Sequence, residues 1–349
     1  MPTQKIRRVN TRLMALQLDR PVGGSGVSQV DVLLTELELD SGVGGLGFSY
    51  VIGGGAEAAL AAAHAIATRQ LVGQPLFHPE ASWQQIAAGL NRTRRGPNYI
   101  AAAALDLALW DAYAKALDVP LGVAMGGAPR AVKVYGSGGF VANQSPADAS
   151  ATARKHSARG LHGVTPRGTG TRGDAGLIAA VAEAIGGRAE LMLDANEKCT
   201  ATSAARLLAM AREAGALFVE EPLPAEDLAG LRALARTYPR LIATGEHLQG
   251  ATEMLPLLAE GLVGLVQPDL AMCGLTESLR IARLAAAFGV EVSPHFLPGL
   301  FIHLAAAAPN LSWLEEFPLI EPMFEGWPEL AADGTLAMRA VAGHGLRVR

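Results

Sequence analysis

The stretch Leu191-Met-Leu-Asp194-Ala-Asn196, followed by a segment of helical pattern and then Leu217-Phe-Val-Glu220-Glu221-Pro222, decides the fold. Each half is a short apolar run ending abruptly in a carboxylate, as a buried strand does when its last residue emerges into a site. The same ending recurs in Leu241-Ile-Ala-Thr-Gly-Glu246, Leu265-Val-Gln-Pro-Asp269, Val290-Glu-Val-Ser-Pro-His295 and Leu311-Ser-Trp-Leu-Glu315. From Asp194 to Glu315 the ends are spaced 26, 26, 23, 26 and 20 residues apart, one β/α unit per step. Helical periodicity fills the intervals, as from Thr202 to Glu213 and from Thr276 to Phe288. Stepping backwards reaches Gly163-Val-Thr-Pro-Arg167 and Val132-Lys-Val-Tyr135, which makes eight strand candidates.

Eight parallel strands alternating with helices make an α/β fold, a closed (β/α)8 barrel. The C-terminal strand ends of such a barrel meet at one mouth. Asp194, Glu220, Glu246, Asp269, His295 and Glu315 are therefore expected to face one another. A barrel built for stability alone needs only apolar strands and gains nothing from carboxylates that repel one another. The pattern calls for a positive partner among them.

A chain of 349 residues accommodates a barrel of ~250 residues and a smaller domain. With 50% hydrophobic and 18% charged residues it can bury a large core, and its net charge of −4 disfavours nucleic acid or an anionic membrane as partner. Cys199 and Cys273 each follow a site-bearing strand end, so both are expected near the mouth as free thiols in a reducing cytosol. The segment Met1–Asn10 has no apolar run after its basic residues, so no signal peptide is expected, and the Ala-rich runs Ala58–Ala67 and Ala101–Trp110 are too short to span a bilayer. The cluster Arg92-Thr-Arg94-Arg95 reads as a solvated loop or helix end.

Ahead of the barrel, Ile6–Leu18 and Gln29–Leu39 read as two strands joined by the glycine-rich loop Arg20–Ser28, a lid candidate, and Gly47–Ile52 as a third. The stretch Gly42-Val-Gly44-Gly-Leu-Gly47 matches G-x-G-x-x-G but runs on into a strand, not a helix, so it reads as a turn needing positive φ and not as a dinucleotide site. Helices are expected over Ala56–Leu71, Ser82–Leu90 and Tyr99–Leu117, with a junction at Pro120–Gly127. The expected organisation is an α+β capping domain over residues 1–127, the barrel over 128–319, and a loop-rich tail, 320–349, that packs back on the cap.

Asp194, Glu220 and Glu246 end three consecutive strands and can bind one ion from adjacent directions. An all-carboxylate set is hard oxygen, which favours Mg2+ over zinc. Asn196 stands two residues past Asp194, where it either supports the same shell or caps a turn. Asp269 and His295 end the next two strands, and a carboxylate beside an imidazole fixes its tautomer and raises its basicity. Glu315 could hydrogen-bond a substrate oxygen opposite the metal.

Taken together, Asp194-Ala-Asn196, Phe218-Val-Glu220-Glu-Pro222, Thr244-Gly-Glu246-His, Gln267-Pro-Asp269, Ser293-Pro-His295 and Trp313-Leu-Glu315 resemble the enolase superfamily, specifically its mandelate racemase subgroup. The resemblance covers nearly the whole chain and implies a modified (β/α)7β barrel under a capping domain, in a homo-oligomer. It further implies Mg2+-assisted abstraction of the proton α to a substrate carboxylate, giving an enediolate. By motif, Asp194, Glu220 and Glu246 would be the ligands, His295 with Asp269 the base dyad, and Glu315 an electrophilic donor. A lid that meets the distal end of the substrate makes Arg20, Ser25, Phe48 and Tyr50 candidates for substrate contact.

One departure bears on the reaction. The subgroup commonly carries Lys-x-Lys at the end of the second barrel strand, where this chain has Thr165-Pro166-Arg167. Arginine stays protonated, so Arg167 is a poor base and a good carboxylate or hydroxyl clamp, with Thr165 beside it and Lys198 the only lysine near the mouth. With His295 as the one credible base, a syn β-elimination is expected, dehydrating an acid sugar to a 2-keto-3-deoxy acid. The alternatives are a racemase, epimerase or cycloisomerase, which would exchange the α-proton with solvent, and a non-catalytic scaffold that lost chemistry with its lysines.

Overall fold

The computed structural model describes residues 4–18 and 27–349. Strands β1 (Gln4–Gln17), β2 (Gln29–Leu39) and β3 (Gly44–Ile52) form an antiparallel meander. Helices α1 (Ala56–Ile66), α2 (Pro79–Gly89) and α3 (Pro97–Ala116) pack on it. Only the start of the glycine-rich stretch is the turn expected from sequence. Gly42 alone has positive φ, 85°, whereas Gly45 and Gly47 lie within β3. Their role is close approach, because a Cβ on Gly47 would meet the Ala104 carbonyl oxygen at 2.0 Å and one on Gly45 the Ala108 oxygen at 2.1 Å.

Eight strands follow in a ring: Val132–Gly136, Gly163–Val164, Glu190–Leu191 continued by Leu193–Asp194, Val219–Glu220, Ile242–Thr244, Leu265–Val266, Glu291–Val292 and Trp313–Glu316. Successive members pair in parallel, an isolated bridge from Val292 to Leu311 spans the weakest join, and Trp313–Glu316 returns to Val132–Gly136 and closes the barrel. Tyr135, Met192, Phe218, Ala243, Leu265 and Trp313 plug its interior, so the barrel is a packed core with its chemistry confined to one end.

The cap is fastened to the barrel through α3, buried on nearly all sides between the meander and helix Leu270–Ala287. Asp106 accepts from the Thr276 amide (2.7 Å) and hydroxyl (2.6 Å), Trp110 Nε1 donates to Thr276 Oγ1 (2.9 Å) and Trp83 Nε1 donates to Glu277 (2.9 Å). Arg95, read from sequence as solvated, instead reaches Glu253 and Thr252 on the barrel with its guanidinium. The tail hydrogen-bonds both parts: Thr335–Leu336 pairs with Val132–Lys133, and the His344 amide donates to Asp111 of α3 at 3.0 Å. Among the described residues no helix is long and apolar enough to cross a membrane.

Candidate active site

A cavity of about 440 Å³ opens where β3 of the cap overhangs the barrel mouth. Its wall carries Arg167, Asp194, Glu246, Asp269, His295 and Glu315, with Asn196 and Lys198 on one side and Tyr50 on the cap side. Glu220 lies beneath, 1% exposed.

Asp194 and Glu220 are the last residues of neighbouring strands paired in register. Asp194 is held three ways. Asn196 donates its amide to Oδ1 (2.7 Å) and its side-chain Nδ2 to Oδ2 (2.9 Å), while the guanidinium of Arg167 ion-pairs with Oδ2. The backbone makes the Asn196 contacts possible by turning left-handed at φ 46°, a conformation Asn tolerates. Glu220 and Glu246 lean on one another. Burial, and then neighbouring carboxylates, hold both well above the usual carboxylate range. Glu220 Oε2 is buried without a hydrogen-bond partner in the protein. A cluster of hard oxygens with an unused lone pair, and with repulsion that Arg167 only partly relieves, fits a hard divalent cation that Asp194, Glu220 and Glu246 would hold.

Asp269 receives the Met272 amide on Oδ1 (3.1 Å) as the N-cap of helix Leu270–Ala287, which leaves Oδ2 for His295 Nδ1 at 2.8 Å. That bond orients the ring and leaves Nε2 for chemistry, 3.6 Å from Glu246 Oε2. Burial works against the imidazolium, but the hydrogen bond and charge of Asp269, then Glu315 and Glu220, outweigh it and raise the His295 pKa. Left-handed turns at Phe296 (φ 56°) and Leu297 (φ 48°) follow at once. They lay the Phe296 ring against the imidazole, centroids 3.5 Å apart, and aim the Phe296 amide at Glu315 Oε2, 3.0 Å away.

Tyr50 lines the cavity from the cap side, and its hydroxyl donates to Asp269 Oδ2, so it bears on the dyad as well. Other candidates sit elsewhere than the sequence implied. Thr165 is fully buried and does not line the cavity, and its hydroxyl has no hydrogen-bond partner in the protein. Phe48 shares the face of β3 that carries Tyr50 but does not line the cavity, and its ring lies tilted against Phe324, centroids 4.5 Å apart. Arg20 and Ser25 lie outside the described residues. Cys273 is wholly buried and Cys199 nearly so, both free. Sequence reading missed the group at Glu197, Glu221 and His247. His247 Nδ1 lies 2.8 Å from Glu221 and 3.8 Å from Glu197. The Glu221 hydrogen bond and charge, with Glu197, push its pKa to about 9 against burial, so the imidazolium itself is the cation of this group. The signal was the residue after each ligand: Glu221 follows Glu220 and His247 follows Glu246.

Comparison with known proteins agrees with this geometry. Residues 7–126 match the family model "Mandelate racemase / muconate lactonizing enzyme, N-terminal domain", and residues 147–349 match "Enolase C-terminal domain-like". The chain belongs to the mandelate racemase/muconate lactonizing enzyme family. Within that family it is 32% identical over 289 residues to an L-talarate/galactarate dehydratase of Salmonella typhimurium, covering 81% of this chain and 72% of that protein. It is also 32% identical over 265 residues to a D-galactarolactone cycloisomerase of Agrobacterium fabrum, covering 73% of this chain and 70% of the relative. The crystal structure of an L-talarate dehydratase from a Polaromonas species, complexed with Mg and L-glucarate, superposes with a TM-score of 0.92 at 30% identity, covering 99% of this chain and 96% of the other. Membership of this family accounts for the barrel and its cap together.

Proposed function

We propose that this protein is an acid-sugar dehydratase, removing water from an aldonate or aldarate to give a 2-keto-3-deoxy acid. One observation carries the reading: Asp269 and His295 form an oriented dyad on the cavity wall, while the end of strand Gly163–Val164 offers Thr165 and Arg167 in place of a second base. The dehydratases among the relatives support it.

When bound by Asp194, Glu220 and Glu246, Mg2+ supplies the charge that makes the proton α to the substrate carboxylate acidic. His295 Nε2 takes that proton, and Asp269 on Nδ1 stabilises the imidazolium so formed. The same Nε2–H then protonates the departing β-hydroxyl, so one residue serves as base and then as acid on one face. Glu315, fixed by the Phe296 amide, hydrogen-bonds a substrate oxygen, and the guanidinium of Arg167 clamps a carboxylate or hydroxyl. Lys198, exposed on the rim, meets the far end of the substrate. The whole would work in a homo-oligomer, as the family resemblance implies.

The test is a screen of purified protein with Mg2+ against mono- and diacid sugars, with 2-keto acid trapped by semicarbazide. A single strong hit, abolished by chelation and restored by Mg2+, is the expected result. Deuterium entering the α-carbon of unconverted substrate, without keto acid, would instead establish an epimerase or cycloisomerase, the second activity found among the relatives.

A further inference from the structure

The guanidinium of Arg167 holds an oxygen of Asp194. We propose that Arg167 is a built-in rival of the divalent cation at Asp194, neutralising the carboxylate cluster until the ion displaces it. The proposal rests on the reading of Asp194, Glu220 and Glu246 as metal ligands.

Strand register brings the rivals together. Arg167 and Asp194 are bridge partners in adjacent strands, with the Gly168 amide 2.9 Å from the Asp194 carbonyl oxygen and the Asp194 amide 3.1 Å from that of Pro166. Their side chains emerge side by side at the same end of the ring, 9% and 3% exposed, and ion-pair through Nη1 and Oδ2. Burial makes such a pair strong only if the remaining donors are also satisfied. Here they are not: Nη2 reaches Ser137 Oγ at 3.2 Å, and Nε is buried with no partner. A purely structural arginine would have its fork filled. This one is held by a single carboxylate that also belongs to the ligand set.

An ion coordinated through Asp194 Oδ2 would meet the guanidinium on the very oxygen that Arg167 holds. A second positive charge at contact distance in a buried site is also strongly repelled. Binding of the ion through Oδ2 would therefore move the guanidinium off that oxygen, and Ser137 and the cavity lie within its reach. A lysine base would withdraw by losing its proton, whereas arginine keeps its charge and must move. Metal affinity is accordingly held below what the three carboxylates alone would give.

The experiment titrates Mn2+, an EPR-visible stand-in for Mg2+, into the full chain and its Arg167→Met, Arg167→Gln and Asp194→Asn variants, with a circular-dichroism melt of each. The neutral variants at position 167 should bind Mn2+ roughly tenfold tighter or more than the wild type, a typical size for coupling between two sites. If a folded variant of either kind binds no tighter than the wild type, the rivalry is refuted. Mn2+ binding unaffected by Asp194→Asn would overturn the metal reading itself, and the rivalry with it.

Discussion

The phenol of Tyr50, carried by the cap, and the imidazole of His295, carried by the barrel, both donate to one oxygen of Asp269. The proposed base is therefore oriented across the junction of the two parts. Tyr50 itself is held over the Phe296 ring, centroids 6.4 Å apart. Removing the hydroxyl leaves Asp269 Oδ2 one donor short and frees it to swing. Tyr50→Phe is expected to lower kcat about tenfold, the loss of about 1.4 kcal/mol of transition-state stabilisation. KM should stay within about twofold. Steady-state kinetics on the substrate found by the sugar-acid screen measure both, and an unchanged kcat would make the contact incidental.

His295 carries a sharper expectation. Asparagine can keep the hydrogen bond to Asp269 but cannot carry a proton, so His295→Asn should abolish keto-acid formation. Nothing in the metal set passes through Nε2, which stands 3.6 Å from Glu246 Oε2, and Mn2+ affinity should be retained. Turnover persisting in this variant would place the base elsewhere.

The barrel was legible in sequence because each strand is short, apolar and closed by a polar residue at a steady interval, and closure then forces the ends together. Asp269 and His295 could be paired in advance because they terminate consecutive strands, which are bridged in the structure. What strand order does not specify is where a long side chain folds. Arg167 and Asp194 were each placed correctly at the mouth, yet their ion pair depends on a rotamer no motif encodes. Tyr50 was likewise read as a substrate contact, since its bond to Asp269 crosses from residue 50 to residue 269. The glycines of β3 misled for another reason. A glycine needed for close packing looks the same in sequence as one needed for positive φ, and only the approach of α3 separates the two.

That approach is itself testable. Gly47→Ala would set a methyl group 2.0 Å from the Ala104 carbonyl oxygen and 2.9 Å from the Ala108 Cβ, contacts relieved only by moving α3 off the sheet. Overpacking of this kind costs ~2 kcal/mol or more. Gly42→Ala meets nothing within 4 Å but adopts φ 85°, so its cost is conformational and near 1 kcal/mol. Chemical denaturation should rank Gly47→Ala below Gly42→Ala, and the reverse order would mean that α3 tolerates displacement.

Asp106 predicts how stability changes with pH. Its carboxyl, on α3, is fully buried against helix Leu270–Ala287, and burial pushes its pKa up to about 7, partly offset by the Thr276 hydrogen bonds and reinforced by the charge of Glu277. In the unfolded chain the same group titrates near 3.8. Between those values the folded protein holds a proton that the unfolded chain has released, so the unfolded state binds fewer protons and stability falls as pH rises. The contribution is fully present below about pH 4 and is lost as pH climbs through about 7. From pH 4.5 to 7 the shift amounts to ~3 kcal/mol. Asp106→Asn keeps an acceptor for the Thr276 amide without a titrating proton, and its stability curve should be flatter than the wild type's by about that much over this interval. Parallel curves for the two proteins, measured by urea denaturation at each pH, would show that Asp106 stays ionised and that the bonds from Thr276 outweigh its burial.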